Sequence, residues 1–154
     1  MASKRLLKEF KEVSQDKLIQ QEGCRSISIT DDAEKLKNEK FPCMAMIELE
    51  LTAVYPSIYQ NKKYLVNIYF SRDYPFLPPK VIFKTPIDHI NICDLSGQVI
   101  HSYLKDGWST AGGLRMLILE LVQLFTHPRP QDLIDEEPTA KQPIARESIG
   151  TIVL

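Results

Sequence analysis

The stretch Tyr74-Pro75-Phe76-Leu77-Pro78-Pro79-Lys80 holds three prolines in seven residues, and it separates two strand-like segments. Each proline fixes φ at about −65°, so the loop is rigid and loses little entropy on folding. The segment Lys80-Val81-Ile82-Phe83 comes directly after two prolines and is short, which is typical of an edge strand. This part of the sequence therefore predicts a stiff loop that leads into the edge of a sheet.

Three further strands are predicted before this loop, because polar and apolar residues alternate along them. They cover Cys24 to Thr30, about Met44 to Ala53, and Lys63 to Phe70. Such alternation gives one packed face and one solvated face, as in an antiparallel sheet. On the predicted outer face of the third strand, Leu65 and Tyr69 are more apolar than contact with solvent requires. The residues predicted to face the core are Ile47, Leu49, Leu51, Tyr64, Val66, Ile68 and Phe70.

Two main helices are predicted, one before the strands and one after them. Ser3 is a candidate N-cap of the first helix. The segment from Leu114 to Phe125 is apolar nearly all round, which indicates a buried central helix that Pro128 and Pro130 end. The residues that share one face of the first helix are Leu6, Leu7, Phe10 and Val13.

The remaining segments are predicted to be mostly loop. A charged loop runs from Asp31 to Lys40, and Thr85 to Gly113 shows no regular period. A loop of that length inside a compact domain is usually functional. After Asp132 we expect at most one short helix, around Lys141 to Ser148. The prediction is a single α+β domain over residues 1–154: an N-terminal helix, a four-stranded antiparallel meander, a long ordered loop, a buried helix and a shortened C-terminal region.

The composition argues against several classes of function. The net charge is −1 with both signs mixed along the chain, so no basic stripe for nucleic acid is present. No stretch approaches the length of a membrane span, and Met1 to Arg5 lead into an amphipathic segment rather than a signal core. Cys24, Cys43 and Cys93 lack CxxC spacing, which predicts free thiols, no disulfide framework and no metal. We expect a cytosolic or nuclear protein without a cofactor.

Three more motifs follow the proline-rich loop. They are His89-Ile90-Asn91, Gly97-Gln98-Val99-Ile100 and Leu104-Lys105-Asp106-Gly107-Trp108. In this order and spacing, the four motifs resemble those of the ubiquitin-conjugating enzyme family, which reads Tyr-Pro-Phe-x-Pro-Pro-Lys, His-Pro-Asn, Gly-x-Ile-Cys-Leu and Leu-Lys-Asp-x-Trp. The resemblance covers about Lys4 to Asp132 and implies the fold described above. Family variants that lack the cysteine also tend to be shortened at the C-terminal end.

The resemblance places Ile100 at the position of the family's catalytic cysteine, whether it is counted from Gly97 or from Leu104. A cysteine thiolate is a strong nucleophile, whereas an alkyl side chain cannot form a thioester. The resemblance therefore implies a protein that is not an enzyme and serves as a cofactor or scaffold. The implied partners are an active conjugating enzyme, a ubiquitin ligase subunit, or ubiquitin or a ubiquitin-like protein. A heterodimer is one expected arrangement.

Two other readings of the sequence remain open. Cys93 lies two residues after Asn91 on the same loop and is an alternative nucleophile. It would take that role if Cys93 faced the cleft beside Asn91, open to water, with Ile100 turned inward. His101 and Ser102 also flank Ile100, but we expect an exposed, solvated histidine and a serine without a base. The second reading is a stand-alone adaptor that binds ubiquitin or a peptide, either on the outer face of the sheet or in the groove left by the family's missing C-terminal helices.

Three polar residues match the family's site. Its Asn stabilises the oxyanion that forms when a lysine attacks the thioester, and this residue matches Asn91. Without an ester there is no oxyanion, so we expect His89 and Asn91 to hydrogen-bond the loop backbone. Asp132 resembles the acidic residue that positions the incoming lysine, and its alternative role is that of a turn former. Ile90 replaces the family's proline between His89 and Asn91.

A partner-binding surface is also implied by the resemblance. In the family, a Phe on the proline-rich loop, a Ser-Pro-Ala loop and basic residues of the first helix bind ubiquitin ligases and the activating enzyme. Thr110 replaces the proline of that loop, and Phe76 could instead belong to the core. Trp108 is expected to pack under the loop. The matching residues are Arg5, Lys8, Phe76, Ser109, Thr110 and Ala111.

Overall fold

The structure, a computed structural model, describes residues 2–54 and 56–133. Within these residues lies a four-stranded sheet of order β1-β2-β3-β4 in which every neighbouring pair is antiparallel. The predicted meander and the α+β class are therefore confirmed. The strands are β1 (Cys24–Thr30), β2 (Ala45–Thr52), β3 (Lys63–Phe70) and β4 (Lys80–Phe83).

Helices precede, interrupt and follow the sheet. Ser3 caps the first helix as predicted, since its Oγ accepts a hydrogen bond from the backbone N–H of Leu6 at 3.2 Å. The predicted short helix at 141–148 and the shortened C-terminal region lie outside the described residues. The helices are α1 (Lys4–Ser14), α2 (Lys17–Glu22), α3 (Ala33–Leu36) and α4 (Gly113–Gln123), with 3₁₀ turns at Ser102–Leu104 and Pro130–Leu133.

The inner face of the sheet forms the main core with α1, α2 and α4. All seven residues of β2 and β3 predicted to face the core are buried, whereas Glu48 on the opposite face is exposed. The α4 residues Leu114, Leu117, Ile118 and Leu121 are also buried in this core. The helix is less enclosed than the sequence predicted, because Met116 is 39% exposed. It also ends at Gln123, two residues before the predicted end.

Two short helices were not predicted, and an aspartate caps each of them. Asp16 Oδ1 accepts hydrogen bonds from the N–H groups of Leu18 and Ile19, at 2.9 and 3.3 Å, at the start of α2. Asp32 Oδ1 accepts from the N–H of Glu34 at 2.9 Å, so α3 lies inside the predicted charged loop. Both helices are too short to show a hydrophobic period, and capping is the signal that could have revealed them.

The outer face of the sheet is partly covered, which corrects the prediction for Tyr69. Its side chain is only 4% exposed, because residues 36–43 fold over this face. By contrast Leu65, earlier on β3, is 52% exposed. Leu7 was also assigned wrongly, since it is 42% exposed on α1 rather than part of the core. The cover makes an outer cluster that consists of Leu36, Phe41, Cys43, Met46, Tyr69 and Ile82.

Glu9 joins α1, α4 and the proline-rich loop. Its Oε1 accepts hydrogen bonds from the N–H of Leu114 at 2.8 Å and from the hydroxyl of Tyr74 at 2.5 Å. The first of these bonds caps α4, whose own N-cap Gly112 supplies no side chain. Gly113 has φ +51° and lies so close that an added Cβ would be 2.4 Å from the Glu9 carboxylate. This junction fixes the far end of the long loop.

Candidate functional site

Ile100 lies on the long loop, and its backbone is held on both sides by Asn91. Its N–H donates to the Asn91 carbonyl at 2.7 Å, and its own carbonyl accepts from Asn91 Nδ2 at 2.9 Å. The side chain is 5% exposed and lines a groove of about 680 Å³. This site groove runs between residues 77–81 and residues 93–105. The alkyl group therefore packs into the wall of the groove and offers it no reactive atom.

The Asn91 side chain is wholly occupied by contacts to the backbone. It is 0% exposed, and its Nδ2 donates to the carbonyls of Ile100 and Arg129, both at 2.9 Å. Its Oδ1 accepts from the N–H of Arg129 at 2.8 Å. These three bonds tie the loop at Ile100 to the chain after α4. The amide has both N–H groups in use, so it holds the loop in place.

His89 links the backbone of Asn91 to the end of α4 through its two ring nitrogens. Its Nδ1 accepts a hydrogen bond from the N–H of Asn91 at 3.0 Å, so this nitrogen carries no proton. Nε2 then bears the proton and donates to the carbonyl of Leu124, 2.6 Å away. The buried imidazole is therefore neutral, and it links the loop to the end of α4. Its place in the fold is that of a brace behind the loop.

Asp132 is drawn into an ion pair with Arg129. Arg129 Nε lies 2.6 Å from Asp132 Oδ2, and the same oxygen accepts from the N–H of Ser102 at 3.0 Å. The Asp132 side chain is 6% exposed. Burial alone would raise the pKa of this carboxyl, but the hydrogen bonds from Arg129 and Ser102 hold the pKa below its ordinary value. The carboxylate is thus turned to the protein and not to the groove.

The prediction that His101 is exposed and solvated is wrong. Its side chain is 3% exposed, and Nδ1 accepts from the N–H of Tyr103 at 2.9 Å. Nε2 lies 3.2 Å from Glu120 Oε1 but without the geometry of a hydrogen bond. Burial lowers the pKa of His101; the Glu120 and Asp132 carboxylates oppose this effect and Arg129 adds to it.

In the described residues, the Ser102 hydroxyl contacts no group that could act as a general base. Its Oγ accepts a hydrogen bond from Arg129 at 3.1 Å. Arg129 and Glu120 were missed by the sequence analysis, yet both shape the surroundings of Ser102 and His101. The spacing of Arg129 three residues before Asp132 could have indicated the ion pair, because residues three apart meet within a helical turn. No sequence pattern pointed to Glu120.

Cys93 lines the same groove as Ile100 and is more exposed than Ile100 is. Burial would raise the pKa of its thiol, but the Ser96 hydroxyl and the N–H groups of Ser96 and Leu95 donate to the sulfur and bring the pKa below its ordinary value. The arrangement thus meets part of the condition set for Cys93, with Ile100 buried and Cys93 half-buried. The other two thiols differ, because burial raises the pKa of Cys24 to about 11 and also raises that of Cys43.

The residues of the implied partner surface lie on three adjoining segments. Phe76 is 80% exposed, so it does not belong to the core. The Arg5 guanidinium donates to the carbonyl of Thr110, which joins α1 to the loop at 109–111. The Trp108 indole donates to the carbonyl of Pro75 at 2.8 Å and joins that loop to the proline-rich loop.

Trp108 itself is half-buried against aromatic neighbours, as expected. Lys8, Ser109 and Ala111 are exposed beside these contacts.

The described residues contain neither a candidate metal site nor a candidate membrane-spanning helix. No group of three His, Cys, Asp or Glu side chains there is arranged to hold a metal ion. No helix in the same residues combines the length and the apolar character that crossing a membrane requires.

The order of elements and the loop beside the sheet define a ubiquitin-conjugating fold. A solved structure described as a "putative ubiquitin conjugating enzyme" from Plasmodium yoelii superposes with a TM-score of 0.63 at 27% identity, over 86% of this chain and 79% of that one. The ubiquitin conjugating domain of a Toxoplasma gondii protein superposes with a TM-score of 0.60 over 89% of this chain and 92% of the other. Its identity of 24% supports the fold alone.

Sequence comparison extends the assignment from fold to family. The family model described as "Ubiquitin-conjugating enzyme" matches residues 5–148, and the chain belongs to this family. The "Probable ubiquitin-conjugating enzyme E2 L460" of Acanthamoeba polyphaga mimivirus is 35% identical over 81 residues. That match spans 53% of this chain and 51% of the relative, so the chain matches about half of the relative's length.

Proposed function

We propose that this family member is non-catalytic and acts as a cofactor or scaffold in the conjugation of ubiquitin or a ubiquitin-like protein. The observation that carries the proposal is Ile100, which takes the cysteine position in the motif and packs into the wall of the site groove. Its proposed partners are an active conjugating enzyme, a ligase subunit or the modifier itself, and a heterodimer is one expected form. Cytosol and nucleus are the proposed compartments.

The polar residues of the site support the same proposal. Asn91 uses both of its amide N–H groups on backbone carbonyls, and Asp132 is paired with Arg129. An amide in that state has no N–H left to donate to a new oxyanion unless it gives up a buried bond. A carboxylate that is already paired with an arginine is less able to bind and position an incoming lysine amine. The groups that would assist a thioester reaction serve here to hold the loop.

The test is a thioester assay on the full chain. The protein is mixed with ubiquitin-activating enzyme, ATP and ubiquitin, and the products are separated on a non-reducing gel. We expect no band in which ubiquitin is joined to this chain by a bond that thiols cleave. An active conjugating enzyme in a parallel reaction shows that the assay works. A thiol-sensitive band on this chain would end the non-catalytic proposal.

Cys93 supports a second candidate, an atypical conjugating enzyme. It lines the groove beside Ile100, and its thiol pKa lies below the ordinary value because the Leu95–Ser96 turn donates hydrogen bonds to it. In this case a thiol-sensitive band forms on the parent chain and is lost in Cys93→Ala. Cys43→Ala is the matched control, since Cys43 is also half-buried but does not line this groove. If Cys93→Ala and the parent give the same band, this candidate is excluded.

Only one of the two candidate surfaces of the adaptor lies in the described residues, and that surface, the outer face of the sheet, is partly covered. The choice of that surface rested on Leu65 and Tyr69, and Tyr69 is covered by residues 36–43. A titration of labelled ubiquitin, with and without an active conjugating enzyme, separates the adaptor from the cofactor. Binding that requires the enzyme supports the cofactor, and equal binding without it supports the adaptor.

A further inference from the structure

The carboxylate of Glu9 contacts each of the three segments that carry the implied partner surface. Its Oε2 lies 2.5 Å from Arg5 Nε, one turn earlier on α1. Its Oε1 accepts from the hydroxyl of Tyr74 on the proline-rich loop at 2.5 Å. The same oxygen accepts from the N–H of Leu114 at 2.8 Å, in the first turn of α4, which begins just after the loop at 109–111. One side chain therefore holds the three segments together.

The contacts of Glu9 lie largely out of solvent, because its side chain is 16% exposed. Hydrogen bonds to an ionised carboxylate are shorter and stronger than neutral ones, and burial protects them from screening by salt. A glutamine at this position can still accept from Tyr74 and Leu114 through its oxygen. Its NH₂ group, however, would face Arg5, whose side chain has only donors. The substitution Glu9→Gln therefore breaks the link to Arg5 and keeps the other two.

The loop at 109–111 has no proline to restrict its backbone. Thr110 stands where the family has a proline, so the φ angle of this residue is not fixed by a ring. The carbonyl of Thr110 instead accepts from the Arg5 guanidinium, which Glu9 holds. Within the described residues, Thr110 makes no other hydrogen bond. The link between this loop and α1 therefore runs through Arg5 and Glu9.

Phe76 is held in its exposed position by the two residues before it. The Tyr74 hydroxyl attaches the proline-rich loop to Glu9, and the carbonyl of Pro75 attaches it to the indole of Trp108 at 2.8 Å. Loss of the Tyr74 hydroxyl would leave only the second of these attachments. A partner that binds Phe76 would then have to order the loop, and this cost reduces its affinity.

We propose that Glu9 is the positioning residue of the partner surface. It fixes Arg5, the loop at 109–111 and Phe76 relative to one another, so that a partner meets them as one rigid surface. Glu9 acts through these groups and need not touch the partner. The inference rests on the proposed function, because it requires that this surface binds a conjugation partner. It adds that affinity depends on a carboxylate beneath the surface, since Thr110 does not fix the loop as a proline would.

The first test needs no partner, because Trp108 is the only tryptophan of the chain and its indole contacts the proline-rich loop. Acrylamide quenching of its fluorescence measures how well the loops shield it. Tyr74→Phe keeps the ring and removes the hydroxyl bound to Glu9. We expect the quenching constant to rise about twofold, because a loop with fewer attachments opens more often. Tyr59→Phe is the matched control, since it removes a hydroxyl that donates to a carbonyl at 2.7 Å on another loop. An unchanged quenching constant in Tyr74→Phe contradicts the proposal.

The second test measures the binding of the full chain to an active conjugating enzyme and to a ligase domain by calorimetry. We expect Tyr74→Phe to weaken binding about fivefold and Glu9→Gln about threefold, because the partner must order the released segment. In a Phe76→Ala background, Tyr74→Phe should change the Kd less than about twofold, because no anchor remains to be positioned. Glu12→Gln is the matched control. It makes the same change of charge at an exposed residue of α1 and should bind as the parent does.

The variant Thr110→Pro separates positioning from a general change in stability. The carbonyl of Ser109 accepts from the N–H of Gly112 at 3.2 Å, so Thr110 is the second residue of a turn, where proline is favoured. Added to Glu9→Gln, Thr110→Pro should return the Kd to within about twofold of the parent, because proline fixes the released loop. It should not restore Tyr74→Phe, whose defect lies in the other loop.

The failure of this inference can be told apart from the failure of the proposed function. If the parent binds neither probe, the proposed function is contradicted, and so is the surface that Glu9 would position. If the parent binds and both Tyr74→Phe and Glu9→Gln bind equally well, only the positioning role is excluded. Equal rescue of both variants by Thr110→Pro, or an equal effect of Tyr74→Phe with and without Phe76, would show that stability alone is affected. Either result overturns the proposal.

Discussion

At the scale of single residues, the position of the long loop depends on the hydrogen bonds of Asn91. One fully buried amide joins Ile100 to Arg129, two residues far apart in the sequence. These bonds satisfy the buried carbonyl of Ile100 and the partly buried carbonyl and N–H of Arg129. A buried donor or acceptor without a partner costs about 1–3 kcal/mol. The family uses an asparagine at this place in the motif to stabilise an oxyanion, whereas the contacts of Asn91 here are structural, and stability measurements test that structural role.

Asn91→Ala should therefore destabilise the fold by about 2–4 kcal/mol, because it leaves the buried Ile100 carbonyl and the partly buried Arg129 carbonyl without these partners and opens a small cavity. Urea unfolding followed by fluorescence measures the change. Asn38→Ala is the matched control, since Asn38 is exposed, and its effect should stay within about 0.5 kcal/mol. If Asn91→Ala is as stable as the parent, the amide does not hold the loop.

His101 gives the fold a dependence on pH. Burial lowers the pKa of His101 below its ordinary value of 6.5, although Glu120 and Asp132 act in the opposite direction. The unfolded chain then binds the proton more strongly than the folded one does. The contribution of His101 to stability is complete above about pH 6.5 and is lost as the pH falls, at no more than about 1.4 kcal/mol per unit.

His101→Asn should flatten the loss of stability between pH 7 and pH 5, because asparagine does not titrate and can still accept from the N–H of Tyr103. The free energy of unfolding is measured by urea titration at several pH values. His127→Asn is the control, since His127 is exposed and its replacement should leave the slope as in the parent. Parallel curves for His101→Asn and the parent would show that His101 is not the titrating group.

The site residues that a motif places in the sequence and those that the sequence analysis missed differ in one respect. Ile100 and Asn91 could be found because a linear motif fixes their place in the chain. The surroundings of His101 could not, because Glu120 and Arg129 reach it from segments far away in the sequence. The burial of His101 depends on the tertiary structure. From the sequence alone, a histidine beside a serine on a loop is expected to be solvated, because the helix that covers it cannot be placed.

At the scale of elements, the segment from α3 to β2 acts as a cover for the sheet. Leu36 and Phe41 pack on Tyr69 and Ile82, and the Tyr69 hydroxyl donates to Glu39 at 3.2 Å. Asn67 Nδ2 donates to the same hydroxyl at 3.1 Å. The outer cluster is small, so few side chains hold the cover in place.

Leu36→Ala should cost about 1–3 kcal/mol of stability, because Leu36 is buried in the outer cluster and its loss leaves a cavity. Leu65→Ala on the same sheet face is the control. Leu65 is 52% exposed, so its change should be below about 1 kcal/mol. Chemical unfolding measures both, and hydrogen exchange of residues 33–43 should rise only in Leu36→Ala. If the two variants lose the same amount of stability, the cover contributes little to the free energy of unfolding.

The strands were more predictable than the short helices for a physical reason. β2 and β3 bury one face against the core, and the alternation of Leu49 with Glu48 and Glu50 records that burial in the sequence. The helix α3 is a single turn that an aspartate starts, so no period can develop in it. The burial of Tyr69 depends on this unpredicted helix, and the two errors therefore have a common origin.

At the scale of the whole molecule, three segments that are far apart in the sequence combine into one exposed surface. The Arg5–Thr110 contact and the bond from Trp108 to Pro75 hold α1, the loop at 109–111 and the proline-rich loop side by side. Phe76 projects from this surface with 80% of its area exposed. A large exposed aromatic side chain on a rigid loop is well suited to anchor an interface, since little entropy is lost when a partner covers it.

Phe76→Ala should leave the free energy of unfolding within about 0.5 kcal/mol of the parent, because little packing is lost. It should weaken the binding of a conjugation partner at least about tenfold if Phe76 is an anchor of the interface. Ile58→Ala is the matched control, because Ile58 is 89% exposed on a different loop and should bind as the parent does. Calorimetry against an active conjugating enzyme and against a ligase domain measures both variants. If the Phe76→Ala protein binds both partners as tightly as the parent does, the interface does not include Phe76. The site groove would then be the next surface to test, since it adjoins the same proline-rich loop.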